Sequence, residues 1–220
     1  MYKIALFPLS TVLFPGMPIQ LHIFETRYRM MIQRCLKENL PFGVVLIHQG
    51  VEAYGPPAEP VKVGCAARIF NTTILEDGRI NLTAMGDERF RIIKLDYDLP
   101  YLMGEVESLP LEHSHSIEMM RGVRQLTGLI RIYLQMVGQL DPTQPFKPEE
   151  IQFPEDPLMM LSLAAALLQV PTTEKQPLLE ITHACELLNE LLRLYRRDTI
   201  LLRKHSLIGE RAFQKMADLN

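Results

Sequence analysis

The stretch LFPGMPIQLHIFETRYRMM, residues 13–31, changes its period half-way along. Up to Phe24 it reads as a short strand, MPIQLHIF, behind a proline-glycine turn. From Thr26 to about Asn39 the apolar positions Tyr28, Met31, Cys35 and Leu36 recur at helical spacing, the mark of one buried face. His22 and Glu25 stand three residues apart and raise the question of an acid–base or metal pair. On a strand, residues three apart point to opposite faces, so the spacing argues against a shared site. Glu25 falls instead at the helix N-terminus, where a carboxylate meets unpaired N–H groups and the positive end of the helix dipole. Phe24, just ahead of the cap, is positioned to staple back onto the first turn. The stretch therefore reads as a frame that turns strand into helix, and not as chemistry.

Working outward, residues 1–110 carry strand patterns. IALFPL, FGVVLIHQ, KVGCAARIFNTTILE, RINLTAMG, ERFRIIKL and YLMGEVESL are short apolar or alternating runs bounded by turn residues. Asp77-Gly78 between two of them suggests a hairpin with a type I′ turn. Gly86 falls between RINLTAMG and ERFRIIKL and marks a bulge or tight turn. Short strands at this spacing argue for a barrel or a sandwich, interrupted by one helix.

From about residue 115 the period is helical. Met119, Val123, Leu126, Ile130, Tyr133, Val137 and Leu140 step by alternating four and three, the seam of helices packed side by side. A proline-rich connection follows, DPTQPFKPEEIQFPEDP, in which no long helix persists. Residues 157–169 form a second, very apolar helix. Leu178, Ile181, Cys185, Leu188, Leu192, Tyr195 and Leu202 mark a third seam within 174–205, with Thr173 and Gln176 as a candidate capping pair. The fold class is α+β, with a β lobe over 1–112 and a helical bundle over 113–220. The seams would also serve self-association.

Composition excludes several function classes. The chain has 220 residues, a net charge of −3 and a pI near 6.1, so no global field favours nucleic acid or acidic lipid. Residues 1–110 hold eleven Lys and Arg against twelve Asp and Glu, and the chain has no tryptophan, which disfavours an RNA surface. Cys35, Cys65 and Cys185 are too scattered for a disulfide framework and lie in apolar-patterned segments, as buried thiols in a reducing compartment do. Pro8 and Pro15 interrupt the apolar N-terminus and argue against a signal peptide. The longest apolar run, 158–170, is too short to span a bilayer. A cytoplasmic location is the expectation.

Phosphate-loop, dinucleotide, nucleophile-elbow and standard zinc motifs are missing from the sequence. His113 and His115 form the one close histidine pair and lack further ligands nearby, so they read as a solvated linker. No cofactor or metal is implied. For an enzymatic reading, His22, Glu25, Arg27 and Glu105 would be the residues to inspect, and their spacing assembles no nucleophile–base pair. The basic stretch RLYRRDTILLRKH, 193–205, reads as the polar face of a helix.

FPLSTVLFPGMPIQLHIFETRYRMM resembles the signature of the Lon protease N-terminal domain family, the LON substrate-binding domain. The match runs through Phe7, Pro8, Leu9, Leu13, Phe14, Pro15, Gly16, Leu21, Ile23, Phe24, Glu25, Arg27 and Tyr28. Thr26 stands where that family commonly has proline. Later segments, FGVVLI, VGCAARI, DGRINLTAMGDERFRI, PYLMGEVE, DPLMMLSLAAALL and EKQPLLEI, are similar to the rest of the pattern. The resemblance implies a PUA-like β-barrel lobe with one inserted helix, followed by a C-terminal helical bundle. It also implies a helix break near Thr182, which is a suitable N-cap. In function it implies a non-enzymatic protein- or peptide-binding module, an adaptor or regulator in protein quality control. Its partners would be unfolded or extended protein segments and a separate ATP-dependent protease, with no membrane. Met17, Tyr54, Phe70 and Tyr97 are candidate apolar contacts. The alternative is an RNA-binding PUA-like protein, by analogy of fold.

Overall fold

In the computed structural model, which describes residues 1–52, 55, 58–112, 116–140 and 152–217, the chain forms two compact units. Residues 1–112 and 165–183 make the first, and 113–164 with 184–220 the second.

The first unit holds six strands and two helices among the described residues: β1 (Tyr2–Leu9), β2 (Pro18–Ile23), α1 (Thr26–Glu38), β3 (Phe42–Gln49), β4 (Glu59–Ile74), β5 (Ile80–Asp96), β6 (Met103–Ser108) and α4 (Thr172–Glu180). The sheet order is β2-β5-β4-β3-β1-β6, and a further β5–β6 ladder closes five of the strands into a ring. β1 and β3 run parallel; the other pairings are antiparallel. β1 reads IALFPL with no polar alternation because both its faces are covered. Ala5, Phe7 and Leu9 join α1 in one core, and Ile4 and Leu6 face the ring interior with Phe90 and Val106. Room for Phe90 comes from missing side chains: a Cβ on Gly43 would lie 2.6 Å from its ring and one on Gly64 2.8 Å.

β4 and β5 extend past the ring as a hairpin, and β2 adds to the outer flank of β5. This three-stranded arm corrects two expectations. RINLTAMG and ERFRIIKL are one strand that bends near Gly86, with a register shift opposite Cys65 and Ala67. The hairpin turn is not type I′. Gly78 N–H donates to Leu75 O at 2.9 Å, Leu75 N–H donates to Arg79 O at 2.8 Å, and only Gly78 has positive φ. That is a type I turn closed by a glycine bulge, the three-residue alternative. The Asp77 carboxylate prefers it, accepting from Arg79 N–H and Nε.

α1 ends where expected, with Asn39 left-handed (φ 52°) at its C-cap. Its buried face is Tyr28, Met31, Ile32 and Cys35. Leu36 is exposed, because a straight helix turned by Tyr28 and Met31 brings Ile32 inward one position earlier. α4 is capped at Pro171 and not by a Thr173–Gln176 box. The Gln176 amide instead donates to Val63 O and to Glu180.

The second unit contains α2 (Ile117–Leu140), most of α3 (Pro157–Leu167) and α5 (Ala184–Ala217). α2 buries Met119, Leu126, Ile130, Tyr133 and Leu134. Tyr133 meets Tyr195 of α5 edge to face at 5.1 Å, and the Tyr195 hydroxyl donates to Ala164 O at 2.8 Å. The third seam does break, between Glu180 and Ala184. Its start lies one residue later than a Thr182 cap would give, since Thr182 O accepts from Glu112 N–H. Arg89, buried in the first unit, donates to Leu179 O at 2.8 Å and Ile181 O at 2.5 Å, taking carbonyls a continuing helix would use. α5 turns Cys185 to solvent and buries Leu187, Leu188, Leu191, Leu192 and Leu194, so Cys185 is not the buried thiol its segment suggested.

Candidate functional site

The opening stretch builds the site. Pro15 and Gly16 form a turn in which Met17 N–H donates to Phe14 O and Gly16 has φ 74°, a type II turn with both residues in their preferred places. Gly16 N–H then donates to Gly86 O, and Gly86 N–H to Met17 O. A Cβ on Gly86 would sit 2.3 Å from Phe14 O, so this contact requires glycine. With Met17 facing β5, the ladder alternation aims Ile19, Leu21 and Ile23 at β5 as well. The backbone groups of Pro18, Gln20 and His22 face the other way. Among the described residues no strand pairs with that flank of β2. Pro18, which has no N–H, occupies the open side as edge prolines do.

Beside this flank lies a slot of about 220 Å³ lined by Phe7, Leu9, Gln20, Leu21, His22, Ile23, Phe24, Glu25, Tyr28 and Glu52. Phe7 and Tyr28 stack at 4.2 Å to make its apolar wall. His22 and Glu25 both border the slot, but different partners hold them. His22 Nδ1 lies 2.6 Å from Asn81 Oδ1, and Nε2 lies 3.4 Å from Arg79 Nη1. Glu25 accepts from Arg27 Nε at 3.0 Å, and the Arg27 guanidinium lies over the Tyr28 ring at 4.7 Å. Glu25 is the N-cap by backbone, but its carboxylate makes no side-chain cap bond, since Arg27 takes it. Phe24 is 38% exposed with its ring 6.2 Å from His22, and the fourth helical position it would staple to is Arg29, a cation. Burial holds the Tyr28 phenol above its usual range; Arg27 opposes this, and Glu25 and Glu52 add to it.

The remaining predicted residues fall in separate places. Met17 is partly buried against the core at the foot of β2. Phe70 is 62% exposed on β4, at the register shift between Ile69 and Asn71, where β4 has lost its β3 partner. Tyr97 is 57% exposed and lies in the chain between Asp96 and Leu99. Asp96 and Leu99, but neither Phe70 nor Tyr97, line a second, more apolar cleft of about 440 Å³ with Tyr2, Ile4, Cys35, Leu40 and Met103. Tyr54, His113 and His115 lie outside the described residues. Pro8 sits where β1 pairs with β3 alone, the β6 ladder having ended at Ala5. Glu105 lies on β6 opposite Lys3 and Lys94, far in register from His22. Burial raises the Cys35 thiol to about 11 and the Cys65 thiol to about 12, which makes both poor nucleophiles at neutral pH. Among the described residues no cluster of three His, Cys, Asp or Glu is placed to hold a metal, and no helix is long and apolar enough to cross a membrane.

Sequence reasoning missed Pro18, Met85 and Glu52. Pro18 and Met85 are cross-strand neighbours on the exposed face of the arm, a pairing legible only once register is known. Glu52 arrives from a loop and carries no sequence signal.

The family model for the "ATP-dependent protease La (LON) substrate-binding domain" matches residues 3–197. The chain belongs to this family. A Lon protease of Paraburkholderia phytofirmans is 28% identical over 91% of the chain and 25% of its own length. Lon protease 1 of Hydrogenovibrio crunogenus is 23% identical over 94% and 25%. The chain thus spans about a quarter of the length of these relatives. Among solved structures it is similar to a Lon N-terminal domain protein from Xanthomonas campestris, with a TM-score of 0.62 and 26% identity over 88% of this chain and 98% of that one. The N-terminal domain of a Mycobacterium avium complex Lon protease shares the fold, with a TM-score of 0.65 and 17% identity over 89% and 98%. In family terms, the signature residues Phe7, Pro15, Gly16 and Tyr28 build the turn and wall beside β2.

Proposed function

We propose that this chain is a non-enzymatic recognition module that captures extended protein segments along the open flank of β2. The observation that carries this is the unpaired strand edge bordered by an apolar slot, in a chain of the substrate-binding family. Main-chain hydrogen bonds to Gln20 and His22 supply affinity, and a slot for alternate side chains supplies selection. Phe70 and Met85 extend the apolar contact across the arm, and Met17 contributes at its margin; Tyr97, after the far end of β5, is left out of this surface. The ring of five strands is read as a PUA-like barrel, with α2, α3 and α5 as the bundle of the same family. The module works in the cytoplasm as an adaptor or regulator that presents segments to a separate ATP-dependent protease.

The test is fluorescence anisotropy of the full chain with a labelled, permanently unfolded protein and with its folded counterpart. Micromolar binding of the unfolded form alone is expected. Equal or no binding of the unfolded form overturns the reading.

A further inference from the structure

The slot beside β2 is not electrically neutral. Glu25 is matched by Arg27 at 3.0 Å. Glu52 accepts one backbone N–H, from Ser10 at 3.0 Å, and among the described residues no cation pairs with it. Arg79, the cation near His22, is engaged by Asp77 at 2.6 Å. Two carboxylates against one guanidinium leave one uncompensated negative charge at the mouth of a cavity with an apolar wall. Glu25, Glu52 and Tyr28 all line the slot. At about 220 Å³ the slot admits one long side chain and no folded element.

We propose that this slot selects extended segments carrying a lysine or arginine among apolar residues. The aliphatic stem lies against Phe7, Leu9 and Tyr28, and the cationic head reaches Glu52. A segment laid along Gln20 and His22 points every second side chain to one face of the sheet, so one residue of the segment fills the slot. The inference rests on the recognition reading above and names its substrate class.

The experiment uses the full chain and short labelled apolar peptides identical except for one central residue, Lys, Arg, Gln or Glu. The Lys and Arg peptides bind about tenfold tighter than the Gln peptide, and the Glu peptide binds weaker still. Glu52→Gln reduces that preference to about twofold or less, with the far-UV spectrum unchanged. Equal affinity for all the peptides overturns the proposal, as does a preference that survives Glu52→Gln. If the unfolded protein binds and none of the peptides does, the slot proposal falls alone; if neither binds, the recognition reading falls with it.

Discussion

The ring and the arm of the first unit are made from the same strands and obey opposite rules. Within the ring, β4 and β5 are paired on both flanks, and their interior is filled by Phe90, Leu6 and Val106 against glycine backbones. Past Ala67, β4 loses β3, β2 ends the sheet, and Phe70, Ile74 and Met85 reach solvent. Open edges invite pairing, and natural sheets blunt them or use them. Pro18 and the register shifts of β4 blunt this one in part, and the slot suits it to use. Under the proposed function, stability is concentrated in the ring and recognition in the arm.

The sharpest break in that division is Phe90→Ala. Emptying the ring should cost about 3–5 kcal/mol in denaturant unfolding, with peptide affinity unchanged in whatever fraction stays folded. Arg89→Met comes next. Its guanidinium spans from the bend of β5 to the carbonyls at the end of α4, and two charge-assisted bonds disappear with it. A loss of about 2–3 kcal/mol is expected, read by urea unfolding. On the arm, Phe70→Ala with Met85→Ala should leave stability within about 0.5 kcal/mol and weaken unfolded-protein binding roughly fivefold, measured by anisotropy. The smallest effect belongs to Asp77→Asn at the arm's tip. Bonds from Arg79 hold the Asp77 carboxyl below its usual range. A depressed folded pKa contributes stability above the ordinary carboxylate value and loses it as pH falls through the depressed one. The variant should lose that small contribution at neutral pH and match the parent below the depressed value, which flattens the acid limb of a thermal-stability profile.

How much of this was legible in residues follows the same division. Strand positions in the ring were readable because burial on both faces writes continuous apolar runs such as IALFPL. The turn at Pro15-Gly16 was readable because its φ demands name its residues. The Asp77-Gly78 turn type was not, since one glycine suits two turns and the Asp77 carboxylate decides between them. The helical period by itself runs on through 174–205, and the break near Thr182 comes from the family resemblance; Arg89, which takes the carbonyls there, lies ninety residues away in sequence from Leu179. Period alone puts Leu36 and Cys185 on buried faces, and small errors of helical phase turn such residues outward. The slot needed β1, β2, α1 and Glu52 together, and no local pattern encodes that meeting.

Gly86 joins the arm to the ring. It is the point where the Phe14 carbonyl presses on β5, where β2 begins its ladder, and where the arm bends out of the ring. Tension on a polypeptide held along β2 would be delivered to the ring through this hinge, with no bulky group to cushion it. Lengthening that residue by a single methyl would force the two backbones apart and leave the gripping strand swinging free of its mount.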